Sequence, residues 1–425
     1  MELPTLIAVV LSLSAAFAYI NFRFIGLPTT IGVMLMALAA SSGLLALGHF
    51  GVADLPALAA RMLAAVNFDK TLMDGMLSFL LFAGALHVDA ADLARKKWSI
   101  GLLATVGVLL STVIVGALTF FLLTALGLPL PFIYCLLFGA LISPTDPIAV
   151  LATLKKAGIA KTLETQIAGE SLFNDGVGVV VFIVLLGIVQ QVDAVGGAAL
   201  VMHALQTFML EALGGVAFGF VLGYLGFYLM RSVDNYQVEI LLTLALVFGG
   251  YTLAHALHLS GPIAVVVAGL IIGHRGRRAM PAAARARLGD FWELLDEILN
   301  VVLFVLIGLE ALVLHWQGAY FAAGLLAIPL ILFARLVSVG APIVFLREVI
   351  GREFSQNAVK ILVWGGLKGG ISVALALTLP PGPERDVFLV ITYIVVVFSI
   401  TVQGLTIGRV AKRLSGPSRH AALEQ

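Results

Sequence analysis

Charge is what this chain has least of. Of its 425 residues, 12% are Asp, Glu, Lys or Arg and 61% are hydrophobic. A soluble domain carries about 25% charged residues, so most of this chain cannot fold with water as its solvent. Cysteine is nearly absent. Cys135 stands alone, which excludes an internal disulfide, and its apolar surroundings suit a small core residue. The eight histidines never take metal-ligand spacing; His255 and His258 are the closest pair. With a net charge of +1 and no basic domain, nothing favours a nucleic-acid partner. Met1-Glu2 offers no basic leader ahead of the first apolar run, so that run is read as a spanning helix. No stretch is long and polar enough to form a soluble domain. The basic, Ala-rich connection 274–290 reads as a surface anchor, and 416–425 as a short polar tail.

What is present is a series of apolar runs, most of a length that spans a bilayer as a helix. Thirteen are counted: 3–21, 27–48, 71–88, 98–125, 131–154, 163–190, 205–230, 236–257, 260–273, 291–313, 319–346, 357–380 and 385–408. The basic residues test that count. Alternate connections carry Arg23, then Arg95 to Lys97, then Lys155, Lys156 and Lys161, then Arg231. They continue with Arg275, Arg277, Arg278, Arg285 and Arg287, then Arg347 and Arg352, and the tail adds Arg409, Lys412, Arg413 and Arg419. The opposite side has only Arg61, Lys70 and Arg385. The positive-inside rule then puts the N-terminus outside and the C-terminus in the cytoplasm. An odd number of spans fits two inverted repeats, about 1–191 and 236–413, joined by a linking helix at about 205–230. The reading is an all-α polytopic membrane protein, one transporter unit over 1–415, with discontinuous fifth and twelfth spans.

The chemistry is concentrated in three segments. Gly169-Glu170-Ser171-Leu172-Phe173-Asn174-Asp175 sets two acids, an amide and a hydroxyl within six consecutive residues of the sixth span. Ionisable groups at membrane depth cost roughly 2.5–3.5 kcal/mol each and are retained mainly to handle ions or protons. Glu170 and Asn174 are four apart, as are Ser171 and Asp175, so on a helix all four polar groups fall on roughly one side. Gly176 and Gly178 thin the helix beyond them and admit a close neighbour.

The fifth span contains Ser143-Pro144-Thr145-Asp146-Pro147. Pro144 and Pro147 lack the N–H groups that would bond the carbonyls of Ala140 and Ser143. Free carbonyls, the Thr145 hydroxyl and the Asp146 carboxylate are hard oxygen ligands that suit a small hard cation. A plain proline kink whose polar groups cap its own broken turns gives the same punctuation, but it has no need of the Asp146 charge. The twelfth span contains Gly365-Gly366-Leu367-Lys368-Gly369-Gly370. Its glycines mark a break. Lys368 lies too deep to snorkel and is expected to pair with Glu170, either as a structural tie between the halves or as a participant in transport. Arg335 in the eleventh span pairs with an acid or caps carbonyls. Asp74 opens the third span and lines an outer vestibule, Glu293 and Glu310 sit at interfaces, and Asn300 is a packing hydrogen-bonder.

Taken together, Ser143 to Pro147 followed by Gly169 to Asp175 resemble the cation/proton antiporter superfamily, specifically its NhaP/NHE-type sodium/proton exchangers. Phe82-Ala83-Gly84-Ala85, Ser260-Gly261-Pro262, Phe304 to Glu310 and Gly366-Leu367-Lys368-Gly369 add weaker matches. The resemblance implies a homodimer in a bacterial inner membrane. Each protomer would have a moving core at about 98–191 and 319–413, a dimer-forming remainder, and crossing broken helices in spans 5 and 12. It implies sodium or lithium at Asp175, with Thr145, Ser171 and Asp146 completing or supporting the shell and Asn174 positioning the carboxylate. Glu170 would be tied to a basic residue in the position of Lys368. The order Asn174-Asp175 resembles the electroneutral branch. Lys368 departs from the arginine usual in that motif, and lysine releases its proton more readily.

The mechanism implied is competition. Burial disfavours a bare carboxylate, while a proton or a bound cation each neutralises it. The occupied core crosses the barrier and the empty one does not, so exchange needs no cofactor and no enzymatic step. A potassium/proton exchanger on the same fold is the alternative, ahead of a cation channel, for which no repeated filter motif appears. An intramembrane enzyme is disfavoured, since Ser171 has no nearby His or Lys base on its helix and Gly-Glu-Ser is not a nucleophile elbow.

Overall fold

The computed structural model describes residues 3–49, 75–88, 90–147, 150–151, 153–154, 161–191, 197–276, 281–351, 354 and 357–415. Asp74, Arg61 and Lys70 lie outside these residues. The described residues are almost entirely helical, and a helix occupies each of the thirteen apolar runs. Eight helices among them are long and apolar enough to cross a membrane.

In chain order the helices are α1 (Leu3–Ile20), α2 (Thr29–His49), α3 (Leu77–His87), α4 (Lys97–Ala125), α5 (Phe132–Ile142), α6 (Lys161–Gln191) and α7 (Gly197–Arg231). They continue as α8 (Tyr236–Ala256), α9 (Gly261–Ile271), α10 (Ala282–Glu310), α11 (Gly318–Glu348), α12 (Ala358–Trp364), α13 (Gly370–Leu377) and α14 (Pro383–Leu414). The fifth run stops as helix at Ile142, and Val150 and Leu151 are helical again. The twelfth is split into α12 and α13.

The helices pack in two groups. One holds α4, α5, α6, α11, α12, α13 and α14; the other holds α1, α2, α3, α7, α8, α9 and α10. Lipid offers no hydrophobic drive between helices, so close approach and van der Waals packing decide these contacts. Helix α7 lies close against α9, and the cause is a stripe of glycines at every fourth position. A Cβ on Gly215, Gly219 or Gly223 would meet Ser260 O, Ala264 O and the Ala268 Cα at 2.8, 2.6 and 3.0 Å. Gly139 of α5 lies against the Thr112 carbonyl of α4 in the same way. Helix α6 touches both groups, and α10 reaches across to α13. An apolar cluster including Ile31, Met34, Leu303, Ile307, Val339, Ile361 and Ile400 joins the groups.

Candidate functional site

The two interrupted runs cross. The Asp146 N–H donates to the Leu367 carbonyl at 2.8 Å, making a single antiparallel bridge between the two breaks. Backbone without a helical partner is tolerated at membrane depth only if something else satisfies it, and here the partners can be named. Ser143 N–H turns back to Ala140 O at 3.3 Å. Lys368 Nζ donates to the carbonyls of Ser143 and Pro144 at 3.0 and 3.2 Å. Those carbonyls end α5, where the helix dipole favours a cation. On the other chain segment, Lys368 N–H donates to Ser399 Oγ at 2.9 Å, and Gln403 Nε2 donates to the Trp364 carbonyl at 3.0 Å. Ser399 and Gln403 bound a π-helical turn in α14 and hydrogen-bond each other at 2.7 Å. Such turns commonly mark functional positions.

Helix α6 holds the first break by Thr145. Ser171 Oγ donates to the Thr145 carbonyl at 2.6 Å. With its hydrogen so used, Ser171 Oγ accepts from Thr145 Oγ1 at 2.8 Å. The Asn174 amide takes both remaining groups: Nδ2 donates to Thr145 Oγ1 at 2.8 Å, and Oδ1 accepts from Thr145 N–H at 3.3 Å. Asn174 therefore locks the break to α6. Both ends of its amide are engaged with Thr145. Gly178 seats the Pro144 ring, which a Cβ would meet at 2.5 Å, and Gly176 admits Ile263.

Glu170 pairs with Arg335, not with Lys368. Arg335 Nη2 stands 2.6 Å from Glu170 Oε1, and both side chains are buried. The contact is ionic without hydrogen-bond alignment, since Glu170 Oε1 and Arg335 Nε have no aligned partner. The expected tie to Lys368 fails because the broken carbonyls of α5 take up that ammonium first. The twelfth-span glycines fall at the break expected of them, between α12 and α13, and they also make room there. None of them has a positive φ. A Cβ on Gly366 would meet Arg335 Nε at 2.6 Å, and one on Gly369 would meet the Asp146 carboxylate at 2.6 Å. They leave room for one cationic and one anionic side chain at the crossing.

Asp175 is 7% exposed, and its Oδ1 has no hydrogen-bond partner. It lies in the wall of a cavity of about 850 Å³ together with Thr145, Asp146 and Ser372. Six carboxylates line that cavity: Asp92, Asp146, Glu164, Asp175, Glu293 and Asp296. Among the described residues that line it, His87 is the one basic side chain. Glu293, Asp296 and Asn300 thus face the cavity from α10; the sequence reading had set Glu293 at an interface and Asn300 in packing. Their spacing of three and four along one helix was the available signal. A neutral-to-acidic cavity ending at a buried carboxylate, beside hydroxyl and carbonyl oxygens, is suited to a hard cation or a proton and to little else.

Comparison with known proteins agrees. The family model described as the transmembrane sodium/hydrogen exchanger matches residues 12–413. The chain is 52% identical over 412 residues to the Na(+)/H(+) antiporter NhaP of Pseudomonas aeruginosa, covering 96% of each. It is 35% identical over 355 residues to the antiporter NhaH of Halobacillus aidingensis, covering 82% of this chain and 84% of that one. The fold matches that of the sodium proton antiporter MjNhaP1 from Methanocaldococcus jannaschii at a TM-score of 0.75 and 21% identity, over 98% of this chain and all of that one. By its sequence over nearly its whole length, the chain is an integral membrane protein that belongs to the sodium/hydrogen exchanger family.

Proposed function

We propose that this protein is a secondary active sodium/proton antiporter, carrying sodium or lithium against a proton by alternating access. The observation that supports this most is Asp175: a buried carboxylate with an unpartnered oxygen, at a double helix break, reached through an acid-lined cavity. A proton and a cation compete for that one charge. Thr145, Ser171 and Asp146 supply the oxygen neighbours, and the Thr145–Ser171 hydrogen bond opens when a cation takes the hydroxyl lone pairs. Neither cofactor nor enzymatic step is required. With Asp175 as the exchanging carboxylate and Asn174 beside it where a second acid would stand, the exchange is one proton per cation.

His87 and Asp92 in the cavity wall precede the basic connection Arg95 to Lys97, and Glu164 follows the basic connection ending at Lys161. By the positive-inside rule that mouth is cytoplasmic, and the conformation is inward-open. The two packing groups support a moving core of α4–α6 with α11–α14 and a second part made of the rest. The family membership favours a homodimer of thirteen-span protomers in a bacterial inner membrane, with that second part forming the dimer contact.

The test is cation-driven proton flux in proteoliposomes, scanning lithium, sodium and potassium with the voltage clamped. Sodium- or lithium-driven flux indifferent to voltage is expected. Flux driven by potassium alone would establish the potassium/proton alternative. A reversal potential tracking two protons per cation would reject the stoichiometry. Cysteines placed near Arg277 and near Gly382 should label from opposite sides, the first from the cytoplasm; labelling from one side would reject the topology.

A further inference from the structure

The end of α14 and the start of α12 lie together at the cytoplasmic side of the core group in the proposed orientation. Two side-chain hydrogen bonds fix their register. Trp364 Nε1 donates to Thr406 Oγ1 at 2.9 Å, and Asn357 Nδ2 donates to the Leu414 carbonyl at 2.7 Å. The helices therefore run antiparallel here. Between the two ties, Lys360 of α12 stands level with the turns of α14 that carry Arg409 and Arg413. Lys360, Arg409 and Arg413 are exposed, as is Lys412 beside them. Among the described residues none of the four forms an ion pair. The sequence gives the reason, since no Asp or Glu occurs from 354 to 383 or from 387 to 423.

Topology alone accounts for charge anywhere in a cytoplasmic connection, and the dipole of α14 favours Lys412 and Arg413 in its last turn. Neither accounts for Arg409, a turn earlier, or for Lys360 in the first turn of α12, where the dipole opposes a cation. What lies inward of the cations is informative. Leu405 and Val402 continue the Arg409 face of α14 at four and seven residues before it, 38% and 42% exposed. Half-buried Trp364 and Thr406 come between. Moving outward from mid-membrane, the strip is aliphatic, then amphipathic, then cationic. A glycerophospholipid has the matching order of acyl chain, ester and phosphate. We infer that this strip is a docking surface for one anionic phospholipid, with its phosphate on Lys360, Arg409 and Arg413 and an acyl chain on Leu405 and Val402. Four Lys and Arg side chains just beyond a spanning helix attract anionic headgroups. The lipid supplies the counter-charge that this part of the chain lacks.

The surface depends on the membrane placement and not on antiport, so no flux enters its test. Full-length protein is reconstituted in phosphatidylcholine vesicles with one quarter phosphatidylglycerol on both faces, so the result does not depend on orientation. Bromine is carried on the acyl chains of one lipid or the other. Quenching of Trp364 is the difference between the unaltered protein and Trp364→Phe. Brominated phosphatidylglycerol should quench Trp364 beyond its share of the lipid. Lys360→Gln and Arg409→Gln should each cut that preference about fivefold, the effect of one cation at the membrane surface. Arg231→Gln removes the same charge from the end of α7, in the other packing group, and should leave the preference within about twofold. Quenching in proportion to composition, or an equal loss in Arg231→Gln, overturns the surface. Displacement of the brominated lipid by inorganic phosphate would make it a free-anion site and overturns it as well. If Trp364→Phe fails to fold, the phosphatidylglycerol retained by detergent-purified protein is counted. The unaltered protein should keep one more per protomer than the double variant Lys360→Gln with Arg409→Gln, and equal retention overturns the inference. Absence of sodium-driven flux would defeat the antiport reading and leave this result standing.

Discussion

The two helix breaks meet at one point and are built in opposite ways. The first, Ser143 to Pro147, is forced: two prolines remove the N–H groups that would have continued the helix. The second, Gly365 to Gly369, is permitted: side chains are missing where Arg335 and Asp146 need room. The forced break leaves carbonyls and a hydroxyl that other groups must occupy, and it presents Thr145 and Asp146 to the cavity. The permitted break supplies the occupant, since Lys368 Nζ covers the carbonyls of Ser143 and Pro144. One break therefore carries ligands and the other neutralises what the first exposes. Asp175 belongs to neither. It lies on the unbroken α6, one turn beyond the serine that holds Thr145.

That division makes the largest expected effect the loss of Asp175. Asp175→Asn should fold, because an amide of the same shape is easier to bury than a carboxylate. It should abolish exchange, with flux at least about a hundredfold down, the scale of losing a group that alone trades proton for cation. Substantial sodium-driven proton flux in this variant would move the chemistry off α6 and onto the breaks.

The next effect is on stability. Removing either member of a buried ion pair costs about 3–5 kcal/mol, because the other charge is stranded. Glu170→Ala and Arg335→Ala should each melt early in detergent. Their double mutant should be much less destabilised than the sum, since no lone charge remains. The Glu170–Lys368 cycle should show weaker coupling than the Glu170–Arg335 cycle. The reverse ranking would return Lys368 to the role expected from sequence.

Much of this arrangement was legible beforehand, and the reasons are physical. Apolar run length and basic-residue alternation report the bilayer itself, so the helical runs could be placed without tertiary knowledge. Prolines announce a break because they delete a donor, and Ser171, Asn174 and Asp175 share a helix side by spacing alone. Partner choice was not legible. Three groups, Glu170, Arg335 and Lys368, admit two pairings by charge, and only the position of the α5 carbonyls decides between them. The Gly215, Gly219, Gly223 stripe, which sets the contact of α7 with α9, shows in the sequence as a four-residue period.

A moderate effect should follow from filling the permitted break. Gly366→Ala would put a methyl 2.6 Å from Arg335 Nε, and Gly369→Ala would put one 2.6 Å from the Asp146 carboxylate. Overpacking of this kind costs about 1–3 kcal/mol. Measured by thermal melting, both should destabilise, while Gly351→Ala, where nothing lies within 4 Å but φ is +68°, should cost only backbone strain. If Gly366→Ala is silent, the glycines are there for flexibility, and the contrast between the breaks weakens.

The smallest expected effect is Lys368→Arg. The ammonium now donates to two adjacent carbonyls at 3.0 and 3.2 Å, at the end of α5. A guanidinium offers a planar fork of donors and keeps the charge, so it can serve the same two oxygens with a shift of about 1 kcal/mol or less. Lys368→Gln keeps a donor and loses the charge, and should fall further. Lys368→Met leaves both carbonyls unserved and should melt earliest of the three. That ranking follows if Lys368 is a cap. A proton carrier at this position predicts something different. Arginine does not release its proton at any working pH, so the variant would turn a voltage-driven exchange into a voltage-indifferent one. Under the one-for-one exchange proposed here, the unaltered protein and Lys368→Arg should both be indifferent to voltage at fixed ion gradients. A voltage dependence present in the first and lost in the second would identify Lys368 as the second proton carrier and give the permitted break a chemistry of its own.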